Sequence, residues 1–112
     1  MDNLLTITFE AHNTDLNHHR RYAISIGRDL LDDWTVSIRY GRVGQRGREL
    51  RFANYNADAL QAVVLDRLLR RLSAPHRIGC PYRLKQLDMA TGFDGSQWLP
   101  THVMTKFFVS SN

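Results

Sequence analysis

The sequence predicts an α+β domain, a twisted antiparallel β-sheet with one main helix packed across it, and three observations carry that expectation. Short runs in the first half alternate apolar and polar residues, the period of a half-buried strand. One later stretch switches to helical spacing, with Leu60, Val64, Leu68 and Leu72 at steps of four. The chain has 112 residues, enough for one apolar core and too few for several, so residues 1–112 are read as a single domain.

The elements follow in chain order. Leu5 to Phe9 alternates and reads as a strand; Ala11 to Asn17 is polar and reads as a loop. Tyr22 to Ile26 alternates more cleanly. Trp34 to Tyr40 is the clearest strand, with Trp34, Val36, Ile38 and Tyr40 on one face. Arg48 to Phe52 resumes the period of two, so the glycine-rich stretch before it is a hairpin connection. Asn56 is placed to cap a helix, Asp58 lies near its positive end, and Leu65 and Leu69 widen its apolar stripe. Ser73-Ala74-Pro75 ends that helix. Beyond it, Ile78 to Pro81 reads as a turn, Tyr82 to Met89 as a strand, Thr91 to Ser96 as a loop and Val103 to Val109 as a last strand.

Composition narrows the class. Hydrophobic residues make up 43 % and charged residues 23 %, the balance of a globular domain, and no apolar run is long enough to cross a bilayer. Met1-Asp2-Asn3 lacks the positive start of a signal peptide, and Cys80 is a lone cysteine, so a cytoplasmic protein is expected. The formal charge is +4, and it is unevenly spread. Residues 1–19 carry −3, whereas residues 20–87 hold 14 basic and six acidic side chains. Of the 15 cations, 13 are arginine, whose planar fork suits phosphate.

The densest cationic stretch is R-Y-G-R-V-G-Q-R-G-R-E-L-R-F, residues 39–52. Its glycines match neither nucleotide fingerprint: the P-loop spacing is absent, and the stretch does not lead from a strand into a helix. They are read as positive-φ turn residues. For Arg39, Arg42, Arg46, Arg48 and Arg51 two readings stay open: a phosphate-contacting surface with Tyr40 as its aromatic plane, or a solvated hairpin. His18-His19 is not read as a metal site, since neighbouring histidines on a strand point to opposite sides and Arg20 and Arg21 repel cations. His12, His76 and His102 have no metal-ligand spacing. Cys80 near His76 is read as a small buried thiol in a turn, and Asp32-Asp33 as a polar connection. No catalytic constellation, metal or cofactor is expected.

Three stretches resemble a known family: Asn17-His18-His19-Arg20-Arg21-Tyr22-Ala23-Ile24, then Trp34 to Gly44 containing Tyr40-Gly41-Arg42-Val43-Gly44, then a helix and the turn Gly79 to Tyr82. They are similar to the WGR domain, named for a Trp-Gly-Arg motif that ends a strand. The resemblance covers about residues 17–89 and leaves 90–112 as a C-terminal extension. It implies binding of DNA ends bearing a 5′ phosphate, as in the DNA-damage-dependent poly(ADP-ribose) polymerases, without their catalytic part. Position by position, Tyr40 stands for the motif's Trp against a terminal sugar and Arg42 for its Arg. Asn17 matches the Asn that opens the family's first long strand, Arg20 the usual Lys, and Tyr82 the closing tyrosine near the phosphate. The chain departs from the pattern at Tyr40, at Arg48 where Gln is usual, and at the inserted Cys80-Pro81.

The expected function is a stand-alone, non-enzymatic nucleic-acid-binding module that prefers DNA to RNA and contacts it through Tyr40, Arg42, Arg46, Arg48, Asn17, Arg20 and Tyr82. A protein-interaction or adaptor module using the same basic hairpin is the alternative. Trp98, Leu99, Pro100, Phe107 and Phe108 are candidates for that partner surface or for the core, with core the better use of the two phenylalanines.

Overall fold

The structure is a computed structural model and describes residues 2–108. Five strands form one sheet: β1 (Asp2–Asn13), β2 (His18–Arg28), β3 (Trp34–Arg42), β4 (Arg48–Asn54) and β5 (Arg83–Met89). Every pairing is antiparallel and the spatial order is β4-β3-β2-β1-β5. Between β4 and β5 the chain forms α1 (Ala57–Leu72) and a single-turn helix α2 (Ala74–Ile78), and it closes with α3 (Thr101–Phe108). The chain therefore leaves one edge of the sheet at β4, crosses its face as α1 and returns at the opposite edge as β5. This is the expected α+β arrangement.

Alternation sets which face is covered. Leu5, Ile7, Phe9 and Ala11 of β1 are buried with Tyr22, Ile24 and Ile26 of β2 and Val36 and Ile38 of β3. Leu60, Val64 and Leu68 of α1 close over them as one stripe. The intervening strand residues, such as Thr6, Thr8, Ser25 and Ser37, face solvent on the other side, where the hydroxyls of Thr6 and Ser25 lie 3.2 Å apart. In β5 the pairing slips at Lys85, so that Leu84 opposes Phe9 and Leu87 opposes Ile7. That bulge keeps both leucines on the covered face despite their odd spacing. Asn56 caps α1 as expected, its side chain accepting from the Asp58 N–H at 2.9 Å.

Three expectations change. The polar run after Phe9 is strand as far as Asn13, because it pairs residue by residue with His18–Arg21 at the solvated end of the hairpin. The main helix ends at Leu72 with Ser73 as its cap, as expected, but Pro75 then opens a further helix that was not foreseen, lying in the first turn of α2, where a missing N–H costs nothing. The last strand is a helix: Val103, Met104 and Phe107 are buried at helical spacing, and Met104 N–H bonds back to the Pro100 carbonyl. Val103, Thr105 and Phe107 also alternate, which is why β-branched and aromatic residues read as strand there. Val109 of that expected strand lies outside the described residues. Trp98, Leu99 and Phe107 enter the core, and Phe107 stacks on Phe9 with centroids 4.6 Å apart. Phe108 is exposed instead.

Candidate nucleic-acid interface

One end of the sheet gathers three connections: the β1–β2 turn at residues 14–17, the β3–β4 hairpin at 43–47, and the α2–β5 link. The hairpin is built on glycine. Gly47 has φ +72°, and a Cβ there would collide with the Tyr40 carbonyl oxygen; a Cβ on Gly41 would lie 2.8 Å from Gly47 Cα. Asn17, at φ 55°, turns the chain between β1 and β2. Arg42 holds the two connections together, its Nη1 donating to the Asn17 carbonyl at 3.0 Å and its Nη2 to Asn17 Oδ1 at 2.9 Å. The third connection is tied in by His18, whose Nδ1 donates to the Ile78 carbonyl at 2.8 Å, and by Asn13 Nδ2, which donates to the Gly79 carbonyl at 3.1 Å. This rim is fixed before any ligand arrives.

A cleft of about 160 Å³ opens inside the rim, lined by Arg20, Tyr40, Arg71, Arg77, Ile78 and Tyr82. Two of its lining residues, Tyr40 and Tyr82, neighbour the buried Tyr22. Tyr22 lies with its ring centroid 6.4 Å from Tyr40 and 6.2 Å from Tyr82, and the Arg71 guanidinium sits 4.2 Å above the Tyr22 ring. Burial pushes the Tyr22 and Tyr82 phenols up and pulls the Arg71 guanidinium down from its ordinary value, while the Tyr–Arg proximity opposes each shift. Arg71 still starts far above neutrality and stays charged. Among the described residues, the buried Tyr22 hydroxyl and the Nε atoms of Arg67 and Arg71 have no hydrogen-bond partner. Buried donors of this kind normally find one.

The sequence-predicted residues divide by place. Arg20, Tyr40 and Tyr82 converge on the cleft. Asn17 and Arg42 stand opposite each other on its rim, their polar groups engaged with one another. Arg48 is directly across from Tyr40 in the β3–β4 register, and Arg20 across from Arg42, so the register puts Arg20, Tyr40, Arg42 and Arg48 on the helix-covered side of the sheet. Arg46 is exposed at the hairpin tip, apart from the cleft. Sequence reasoning missed Arg71 and Arg77. Arg71 follows Val64 by seven and Leu68 by three, so the helical stripe already aimed it at the sheet. Arg77 had no such signal, because α2 was not foreseen; its Nη2 donates to the Arg70 carbonyl at 2.6 Å, which fixes it beside the cleft.

The other chemistry-bearing residues lie elsewhere. His18 faces Ile78 while His19 faces His12, with their Nδ1 atoms 2.9 Å apart, so the adjacent pair does diverge. Among the described residues, no three His, Cys, Asp or Glu side chains are grouped to hold a metal ion. Cys80 is buried, and that burial pushes its thiol up, away from reactivity. No helix among the described residues is long and apolar enough to cross a membrane.

A model of the WGR domain family matches residues 5–63, more than half of the chain. That span runs from β1 into α1 and includes Asn17, Arg20, Tyr40, Arg42, Arg46 and Arg48; Arg71, Arg77 and Tyr82 lie beyond it. No curated protein matches the chain.

Proposed function

The chain belongs to the WGR domain family, and from that premise we propose that it is a stand-alone, non-enzymatic module that binds DNA, with a strand end seated at the cleft of Arg20, Tyr40, Arg71, Arg77 and Tyr82. WGR domains are nucleic-acid-binding domains, and binding rather than catalysis is their role. The observation that carries the finer reading is the convergence of three arginines and two tyrosines, from β2, β3, α1, α2 and the α2–β5 link, on one small cleft with a buried Nε that has no partner. A phosphate suits such a place. Its oxygens accept charge-assisted hydrogen bonds from guanidinium groups, and Tyr40 offers a face for the adjoining sugar or base. Arg46 and Arg48 at the hairpin would contact the backbone further along, where exposed cations attract phosphates without reading sequence. Asn17 and Arg42 would act chiefly by holding the rim in shape.

Fluorescence anisotropy tests this with short duplexes carrying either a 5′ phosphate or a 5′ hydroxyl, titrated at several salt concentrations. Affinity should fall steeply with salt, the phosphorylated end should bind more tightly, and Arg71→Ala should weaken binding and reduce the salt slope by about one. Binding that ignores both salt and Arg71 would refute the assignment. Equal binding of the two ends would keep the basic surface and remove the strand end from it.

A further inference from the structure

A second cleft adjoins the first. It lies between the last turn of α1, the start of β5 and the last turn of α3, measures about 190 Å³, and is lined by Arg71, Tyr82, Arg83 and Lys106, with Pro75 and Pro81 among its apolar walls. Arg71 and Tyr82 belong to the linings of both clefts, so the two meet at that pair. Among the described residues, no acidic side chain lines either one. Glu10, which faces Arg83 across the β1–β5 pairing, has its carboxylate 2.9 Å from the His12 ring instead. Arg83 and Lys106 are exposed and have no ion pair among the described residues.

Three cations that converge on one small cleft without a counter-ion repel one another, and a bound anion relieves that repulsion. The walls say which kind of anion. Arginine and lysine donate charge-assisted hydrogen bonds to phosphoryl oxygens, whereas proline walls offer nothing that reads the edge of a base. Arg71 is the common member. Its guanidinium is held 4.2 Å over the Tyr22 ring and 5.8 Å from the centroid of Tyr82, and the fixed fork of a guanidinium can donate to oxygens on two sides. Tyr40 lines only the first cleft and Lys106 only the second, so a ligand running through both meets them at its two ends.

We propose that the second cleft is a subsite for a second phosphoryl group, so that the chain binds two successive phosphates, with Arg71 shared between them and Arg83 and Lys106 on the outer one. This rests on the reading of the first cleft as a phosphate site and adds what lies next to it. Every residue lining the second cleft falls beyond residues 5–63, so the subsite is built by the part of the chain outside the family match. The second group has two sources: the outer phosphate of a 5′-polyphosphate terminus, or the next phosphodiester of a strand that continues past the first cleft.

An NMR titration of the full chain with inorganic phosphate and with pyrophosphate, at matched ionic strength, tests the subsite. Pyrophosphate should bind about tenfold more tightly, the gain expected from added charge-assisted hydrogen bonds. Arg83→Gln/Lys106→Gln should remove that gain, with circular dichroism confirming the fold. Arg21→Gln/Lys85→Gln, which takes the same charge from the open face of the sheet, should keep it. Equal binding of the two anions, a gain that survives Arg83→Gln/Lys106→Gln, or one that Arg21→Gln/Lys85→Gln abolishes as fully would overturn the second subsite and leave the first standing. Binding of neither anion would remove the reading of the first cleft, and this proposal with it. Anisotropy with duplexes ending in a blunt 5′ monophosphate, a blunt 5′ triphosphate or a single-nucleotide 5′ extension identifies the source. The triphosphate gains if the terminus supplies the second group, and the extension gains if the strand does. A gain for neither would overturn the proposal.

Discussion

Arg42 shows how a residue matched by motif can act differently from what its type suggests. Its two terminal nitrogens grip Asn17, so it serves the cleft by joining two turns, and its charge reaches a ligand only from the rim. Arg42→Ala should therefore destabilise the fold by about 0.5–1.5 kcal/mol in urea unfolding, as expected for lost hydrogen bonds, in addition to weakening binding. Lysine, which cannot supply the two-pronged contact, should restore charge and only part of the stability. Tyr22 yields a pH-dependent expectation. Burial, which its arginine neighbours only partly oppose, raises its phenol above the unfolded value, and Tyr82 is raised for the same first cause. The folded state thus holds these protons more tightly than the unfolded chain does. The resulting stability is complete below about pH 10 and is lost as pH rises through the folded pKa values. Alkaline titration followed by phenolate absorbance should show a late step that Tyr22→Phe reduces and Tyr22→Phe/Tyr82→Phe removes. The single substitution deletes an unpartnered buried hydroxyl, so it should leave stability at neutral pH unchanged or slightly higher.

Among the elements, α3 matters most to the architecture beyond the family match. It places Val103, Met104 and Phe107 in the core, and Phe107 against Phe9 of β1 joins the end of the described chain to its start. Phe107→Ala should cost about 3–5 kcal/mol by chemical denaturation, the range for a large aromatic deleted from a packed interior. A loss below 1 kcal/mol would mean that residues 90–108 are an appendage to the domain. The strands of the first half were legible because each has one face turned to the core beneath the helices and one in water, which imposes a strict period of two. The last helix was not. Eight residues rich in Val, Thr and Phe satisfy both periods, and only the position of Met104 against the sheet separates them. The single-turn α2 is shorter than any periodicity can reveal, yet it carries Arg77 to the cleft.

Across the whole molecule the charge is polar as well as positive. Arginines from the sheet, α1 and α2 crowd one end, while the aspartates of the β2–β3 turn mark the other, roughly 26 Å away along the eight residues from Arg20 to Arg28. Such a distribution steers a polyanion to one end and leaves the other for a different contact. Salt is the discriminating variable at this scale: it should weaken DNA binding at the basic end.

The sequence by itself determined the antiparallel sheet, the long helix with its Asn56 cap, the glycine hairpin and the basic character of residues 20–87. Each of these follows from local period, turn chemistry or charge count. It also marked Arg20, Tyr40 and Tyr82, through their resemblance to WGR positions. Only the tertiary structure decided that Arg71 and Arg77 join them, that Arg42 and Asn17 satisfy each other, that Arg46 stands apart, and that the C-terminal segment is helical. Those outcomes depend chiefly on contacts between residues far apart in the chain, such as Arg42 with Asn17, Asn13 with Gly79 and Phe107 with Phe9. No local pattern encodes such contacts, because they form only when α1 crosses the sheet and β5 returns to its far edge.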